Sequence, residues 1–293
     1  MSIFKGSAVA IITPFNDDLT VNYEELKRLI EFQLENKTDA IVIAGTTGEV
    51  PVLDDEEQFK VTKLAVDVVN KRAPVIAGAG SNVTSHAVAL AQGAEKMGAD
   101  GLLVVTPYYN KTTQKGLVNH YKAIAESVNI PIILYSVAGR TGVNIAPQTV
   151  LELSKIKNIV AIKEASGDIS QIAKIAQMTG EDFDIYSGND DQTLPMLSLG
   201  AKGVISVLAN VMPKTVHDIC ENYFNGNVEE SRRLFLDTLN LANTLFIEVN
   251  PVPVKKAVNL MGFNAGPTAP PLYPMEEGNL EKLKKEMEAH GLI

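Results

Sequence analysis

The chain has 293 residues, 45% of them hydrophobic, enough to bury a large core without staples. Its single cysteine, Cys220, excludes a disulfide framework and leaves no partner for a zinc site. A net charge of −9 excludes a general nucleic-acid surface, and no apolar run reaches the ~18–20 residues that span a bilayer.

Residues 1–18 hold one lysine and a short apolar stretch, a weak echo of a signal peptide. Acidic residues follow at once and no small-x-small cleavage site appears, so the stretch reads as a first strand. Such a chain fits a reducing compartment, the cytoplasm. Apolar runs rich in Val and Ile then recur at 8–13, 40–44, 74–78, 101–106, 131–137, 159–163, 183–187 and 203–207. Continuous runs of this length suit parallel strands buried on both faces. They recur about every 28 residues, the size of one strand–helix unit. Helix signals fill the gaps. Asn22 is an N-cap before Glu24 and Glu25, and Asp54–Glu57 opens the next helix with four acids. Later helices begin near Ser85, Gln114, Pro147, Ile169, Asp190 and Pro213. Eight such units predict a closed (β/α)8 TIM barrel over residues 1–225. Residues 226–293 read as a C-terminal helical extension, with helices at 228–248, 253–262 and 277–289 and a proline-rich loop at 266–274.

In a barrel of this kind the active site lies at the C-terminal ends of the strands. Lys163 ends the sixth apolar run, where an ammonium is costly to bury. Desolvation favours the free amine, a nucleophile able to form a Schiff base with a carbonyl. If Lys163 points inward, its neighbour Glu164 points out. The alternative is a structural lysine paired elsewhere or snorkelling to the rim. The turn Gly45-Thr46-Thr47-Gly48-Glu49 after the second run offers hydroxyls and N–H donors to a carboxylate, or is an ordinary turn. Tyr135 and Tyr109 lie near strand ends as proton relays or as packing. Arg140, in a Gly-Arg-Thr-Gly loop, is a candidate carboxylate clamp or a surface ion pair. Gly188 follows the seventh run and Ile205 lies in the eighth. His86, His120, His217 and His290 show no ligand spacing, so no metal is expected.

Taken together, the Gly-Thr-Thr-Gly-Glu turn, Tyr135 and Lys163 resemble the pyruvate-dependent class I aldolase superfamily of N-acetylneuraminate lyase. Pro107-Tyr108-Tyr109-Asn110 and Gly-Arg-Thr-Gly narrow the resemblance to the dihydrodipicolinate synthase family (4-hydroxy-tetrahydrodipicolinate synthases). It runs from Gly6-Ser7 through the Asn250–Lys255 segment. The resemblance implies condensation of pyruvate with aspartate 4-semialdehyde in lysine and diaminopimelate synthesis, no cofactor, and a homotetramer. It assigns the Schiff base to Lys163 and proton donation and acceptance to Tyr135. Thr46 links Tyr135 to Tyr109, which a neighbouring subunit supplies. Thr47 holds the pyruvate carboxylate, the backbone at Ile205 touches pyruvate, and Arg140 binds the semialdehyde carboxylate. Gly188 is counted with the substrate-binding residues. Two departures stand out. Ser136-Val137-Ala138 replaces the family's Asn-Val-Pro beside Arg140, which bears on second-substrate preference. Asp55 and Gln58 stand where lysine-inhibited members often carry histidines, and His86 where they often carry Glu, implying weak or absent inhibition by lysine. A sister lyase of sialic or keto-deoxy sugar acids, and a silent keto-acid-binding barrel, are the competing readings.

Overall fold

The computed structural model describes residues 2–293. Eight parallel strands close into one barrel in chain order: β1 (Gly6–Ala10), β2 (Ala40–Ile43), β3 (Val75–Gly78), β4 (Gly101–Val105), β5 (Ile132–Ser136), β6 (Ile159–Glu164), β7 (Asp184–Ser187) and β8 (Gly203–Ser206). Helices α1 (Tyr23–Glu35), α2 (Asp55–Val69), α3 (Thr84–Met97) and α4 (Gln114–Ser127) follow the first four strands. Next come α5 (Ala138–Thr141), α6 (Pro147–Leu153), α7 (Ile169–Thr179), α8 (Thr193–Ser198) and α9 (Pro213–Phe224). The alternation then ends, and α10 (Val228–Thr244), α11 (Val252–Leu260) and α12 (Glu277–Ala289) follow without a strand.

The local chemistry explains the helix starts. Asn22, Asp54, Thr113 and Asp168 each accept a backbone N–H from the first turn of α1, α2, α4 and α7. Pro147 and Pro213 stand at first helical positions, where a missing N–H costs nothing. Two departures from the sequence reading concern ends. The helix expected over 228–248 stops at Thr244, with tighter turns through Phe246 and Ile247. The Gly-Arg-Thr-Gly loop is a single helical turn, closed by Gly142 at φ +69°.

The strands bury both faces, which is why their sequences are continuously apolar. Ala40 and Val42 of β2 face the barrel interior with Ile133, Ala161 and Ile205, while Ile41 and Ile43 face the helices. Phe4 and Tyr186 stack inside the barrel with ring centroids 4.2 Å apart. No helix among the described residues is long and apolar enough to cross a membrane.

At the N-terminal end of the barrel, His217 of α9 reaches Asp39 Oδ2 at 2.9 Å and Glu221 Oε2 at 3.3 Å. Both ring nitrogens are thus committed to carboxylates, although His217, Asp218 and Glu221 cluster closely enough to suggest metal ligands. Asp39 in turn accepts the N–H of Ser7 in β1 at 2.7 Å. The Asp39 hydrogen bond raises the His217 pKa above 6.5, burial opposes it, and the charges of Asp39, Glu221 and Asp218 add to the rise. A raised folded-state pKa stabilises fully below the unfolded value and is lost as pH climbs through the folded one. Thermal melts of wild type and His217→Gln should therefore differ most in weak acid, with the gap narrowing above neutrality. A gap constant from about pH 5 to 9 would contradict this linkage.

Candidate active site

β5, β6 and β7 set Tyr135, Lys163 and Tyr186 side by side in register. Their inward facing depends on a bulge. Ile132 pairs with Ile159, but Ile133 pairs with Ala161, leaving Val160 as an extra residue. Ile159 faces the helices, and simple alternation from it would turn Lys163 the same way. The bulge reverses the parity: Ala161 joins the interior cluster and Ile162 packs outward. Lys163 then enters the barrel and Glu164 leaves it. The Glu164 carboxylate accepts the N–H and hydroxyl of Ser166 at 2.9 and 2.7 Å and Gln171 Nε2 at 2.9 Å. Burial raises its pKa, and these hydrogen bonds pull the other way.

Lys163 Nζ lies 4.3 Å from the centroid of the Tyr135 ring, and the residue is only 6% exposed. Among the described residues it makes no ion pair. It opens onto a cavity of about 130 Å³ at the C-terminal ends of the strands, lined also by Thr46, Thr47, Tyr135, Arg140 and Gly188. Six of the eight residues singled out from sequence therefore meet around one space. Of three larger hollows, one of about 270 Å³ lies between Gln192 and Phe246, and two of about 480 and 470 Å³ open at the far end beside Arg72 and Pro74; none is lined by a lysine or cysteine that is buried. Gly188 matters through its missing side chain: a Cβ there would stand 2.7 Å from Ala165 Cβ and 3.2 Å from Lys163 Cε. Beyond it, Asp190 accepts the Ser206 hydroxyl and the N–H groups of Val207 and Leu208. Burial raises the Asp190 pKa, against those hydrogen bonds and the nearby positive charge of Lys163.

The turn carrying Thr46 and Thr47 is fastened from two sides. Glu49 sits in the left-handed region at φ +54° and pairs with Lys255 of α11 at 2.7 Å, both side chains essentially inaccessible. Its other oxygen accepts the Ala269 N–H at 2.8 Å. Lys255 Nζ also lies 3.9 Å from the centroid of the Phe15 ring. Desolvation pushes the Lys255 pKa down to about 8 even with Glu49 against it. The second fastening is Asn250, whose Nδ2 donates to Thr47 Oγ1 at 3.0 Å while its main-chain carbonyl accepts Arg140 Nη2 at 3.1 Å. Asn250 Oδ1 is buried without a partner, a state that costs about 1–3 kcal/mol.

Two singled-out residues stand elsewhere. Tyr109, at φ +67°, is 90% exposed and does not line the cavity of its own chain. Ile205 is fully buried in the barrel interior and is not part of the cavity wall. Thr46 and Tyr135 share the wall but are not hydrogen-bonded to each other among the described residues. Asp55 and His86 do meet, at 2.9 Å, while Gln58 donates to the Gly78 carbonyl at 2.7 Å. Sequence reasoning missed Asn250 and Phe246, which line the cavity from beyond the barrel strands. Asn250 lay within the motif carrying the resemblance, but nothing in its type or spacing marked it as part of the site.

A parallel barrel that gathers an unpaired, buried lysine, a tyrosine and two threonines at its C-terminal mouth has the architecture of a Schiff-base aldolase-type lyase. The chain belongs to the Dihydrodipicolinate synthetase family, which matches residues 3–290. It is 59% identical to the 4-hydroxy-tetrahydrodipicolinate synthase 1 of Clostridium acetobutylicum over 293 residues, the whole of both chains. It is 56% identical to the 4-hydroxy-tetrahydrodipicolinate synthase of Clostridium perfringens, over 99% of this chain and 100% of that one. Among solved structures, the dihydrodipicolinate synthase of Aquifex aeolicus superposes with a TM-score of 0.96 at 46% identity, covering 99% of each chain.

Proposed function

We propose that the protein condenses pyruvate with L-aspartate 4-semialdehyde to give 4-hydroxy-tetrahydrodipicolinate, the reaction its relatives are named for, in lysine and diaminopimelate synthesis. The observation that carries this reading is the cavity itself: the Lys163 amine, largely buried and unpaired among the described residues, faces Tyr135, with hydroxyls on one side and one guanidinium at the mouth. Lys163 Nζ attacks the pyruvate C2 carbonyl, and loss of water leaves an iminium. Tyr135 carries the protons of addition and dehydration. The iminium draws electrons from the methyl group, which loses a proton to give an enamine. The enamine carbon then attacks the aldehyde and regenerates the iminium; the amino group of the semialdehyde adds to that iminium carbon and expels Lys163 Nζ, which closes the ring and frees the amine for another turn. Thr47 donates to the pyruvate carboxylate, Gly188 flanks the adduct, and Arg140 takes the semialdehyde carboxylate through its planar fork.

The name shared by the relatives favours this reaction over cleavage of a nine-carbon sugar acid. Arg140 points the same way, since a second anionic substrate must be drawn into a chain of charge −9. We also propose a homotetramer in which Tyr109 of a neighbouring copy completes the relay through Thr46. Its exposure and its left-handed backbone support a residue presented outward, and native mass measurement reads the assembly. Residues 226–293 act as an extension of the barrel, and the buried Cys220 suits the cytoplasm.

The test is substitution at the mouth. Arg140→Ala should lower kcat/KM for aspartate 4-semialdehyde about 100-fold, the loss of one charged bidentate contact. Trapping of pyruvate on Lys163 with borohydride should stay near wild type. Equal damage to both, or turnover of N-acetylneuraminate or 2-keto-3-deoxygluconate above that of the semialdehyde, would defeat the assignment.

A further inference from the structure

Asn250 touches both groups assigned to anion binding and is itself assigned to neither. It lies 203 residues from Thr47 and 110 from Arg140 in sequence, yet bonds each of them. Both amide partners in the first contact are buried, Asn250 at 5% exposure and Thr47 at 3%. The direction of that contact has a chemical consequence. A hydroxyl that accepts from Nδ2 keeps its own proton to give away, and a neutral or ionised carboxylate needs donors. Turned over, the same amide would accept the Thr47 proton through Oδ1 and leave the hydroxyl with nothing to offer a keto acid. The observed orientation leaves Oδ1 buried and unpartnered. Buried polar atoms without partners are rare enough that each asks for a reason. Stability supplies none, since an apolar side chain of similar size would fill the space with no orphaned oxygen.

We infer that Asn250 is a positioning residue: its side-chain amide turns the Thr47 hydroxyl into a committed donor for the keto-acid carboxylate, while its main-chain carbonyl holds Arg140 at the mouth. This rests on the proposed synthase reading and adds to it a residue from the C-terminal extension. The two arms separate by chemistry. Asn250→Ala and Asn250→Asp both remove the amide, but the carbonyl that holds Arg140 stays. Loss should therefore fall on pyruvate and spare the semialdehyde.

The experiment is a double-mutant cycle read by borohydride trapping on Lys163 across a pyruvate titration. Asn250→Ala should raise the half-saturating pyruvate concentration roughly 10-fold, with the maximal adduct yield kept and KM for the semialdehyde changed less than about 3-fold. In a Thr47→Val background, Asn250→Ala should add nothing further. Asn250→Asp, isosteric and able only to accept, should weaken pyruvate binding as Asn250→Ala does, and it serves where the alanine variant does not fold. A folded variant with wild-type pyruvate saturation, or the same increment with and without the Thr47 hydroxyl, overturns the inference. Absence of any adduct in the wild type would instead overturn the synthase reading on which it rests.

Discussion

Replacing Lys163 with alanine should abolish the pyruvate adduct and cut turnover at least about 10³-fold, roughly 4 kcal/mol added to the barrier. The size follows from the role. Without the amine no iminium forms, and no other group in the cavity can act as an electron sink for the pyruvate methyl. Tyr135, Thr46 and Thr47 would still bind and orient the keto acid, so some residual rate over water survives. Lys163→Arg isolates chemistry from packing. It fills a similar volume and keeps a donor, but a guanidinium does not give up its proton at accessible pH and cannot add to a carbonyl. Both variants should therefore fail alike, although the arginine one keeps the charge. Peptide mass mapping after borohydride reduction should locate the wild-type adduct on the peptide holding Lys163. A Lys163→Ala enzyme with full activity would end the argument.

Lys255→Met should cost about 3–5 kcal/mol of folding stability, the usual result of leaving one buried charge without its partner. Glu49 would keep the Ala269 N–H but lose the one cation paired with it among the described residues, in a place with essentially no solvent access. For a chain of this size the thermal midpoint should fall by about 5–10 °C, together with a loss of pyruvate trapping as the Thr46–Thr47 turn loosens. Glu49→Leu combined with Lys255→Met removes both charges and should recover part of the stability, because desolvating the pair is itself expensive. It should not recover the trapping, since the turn then keeps Asn250 and the Thr13 hydroxyl on the Gly48 carbonyl but has lost its Glu49 anchor. Equilibrium denaturation of the three variants decides the matter. A loss below about 1 kcal/mol for Lys255→Met would mean that solvent reaches the pair.

Much of this was legible in the sequence, for identifiable reasons. Strands buried on both faces have no polar alternation to confuse, so all eight runs were visible, and signals such as the Asn22 cap and the proline at 147 placed helix starts to within a residue. Lys163 was conspicuous because a cation closing an apolar run is expensive. Asn250 was not, because an asparagine before a proline is an ordinary turn residue. Its importance comes from contacts across 203 and 110 positions, which local pattern cannot report. The helical turn at Ala138–Thr141 was hidden by Gly139 within it and Gly142 just after it, which read as loop. Tyr109 illustrates a different limit. Its type suggested a proton relay, but its direction is set by a left-handed backbone angle that no composition announces.

The extra valine in β6 has a consequence for how such an enzyme is altered. Which side of the ring each later residue of that strand occupies is a question of odd or even count, not of affinity for water. Losing that one unreactive residue would only smooth the strand, since plain alternation from Ile159 then puts Ala161 in, Ile162 out and Lys163 in; one further residue gained there would instead exchange base for acid at the chamber's centre while every catalytic letter remained encoded. Scans that swap one amino acid for another would pass over this dependence, and only a frame-preserving insertion would bring it to light.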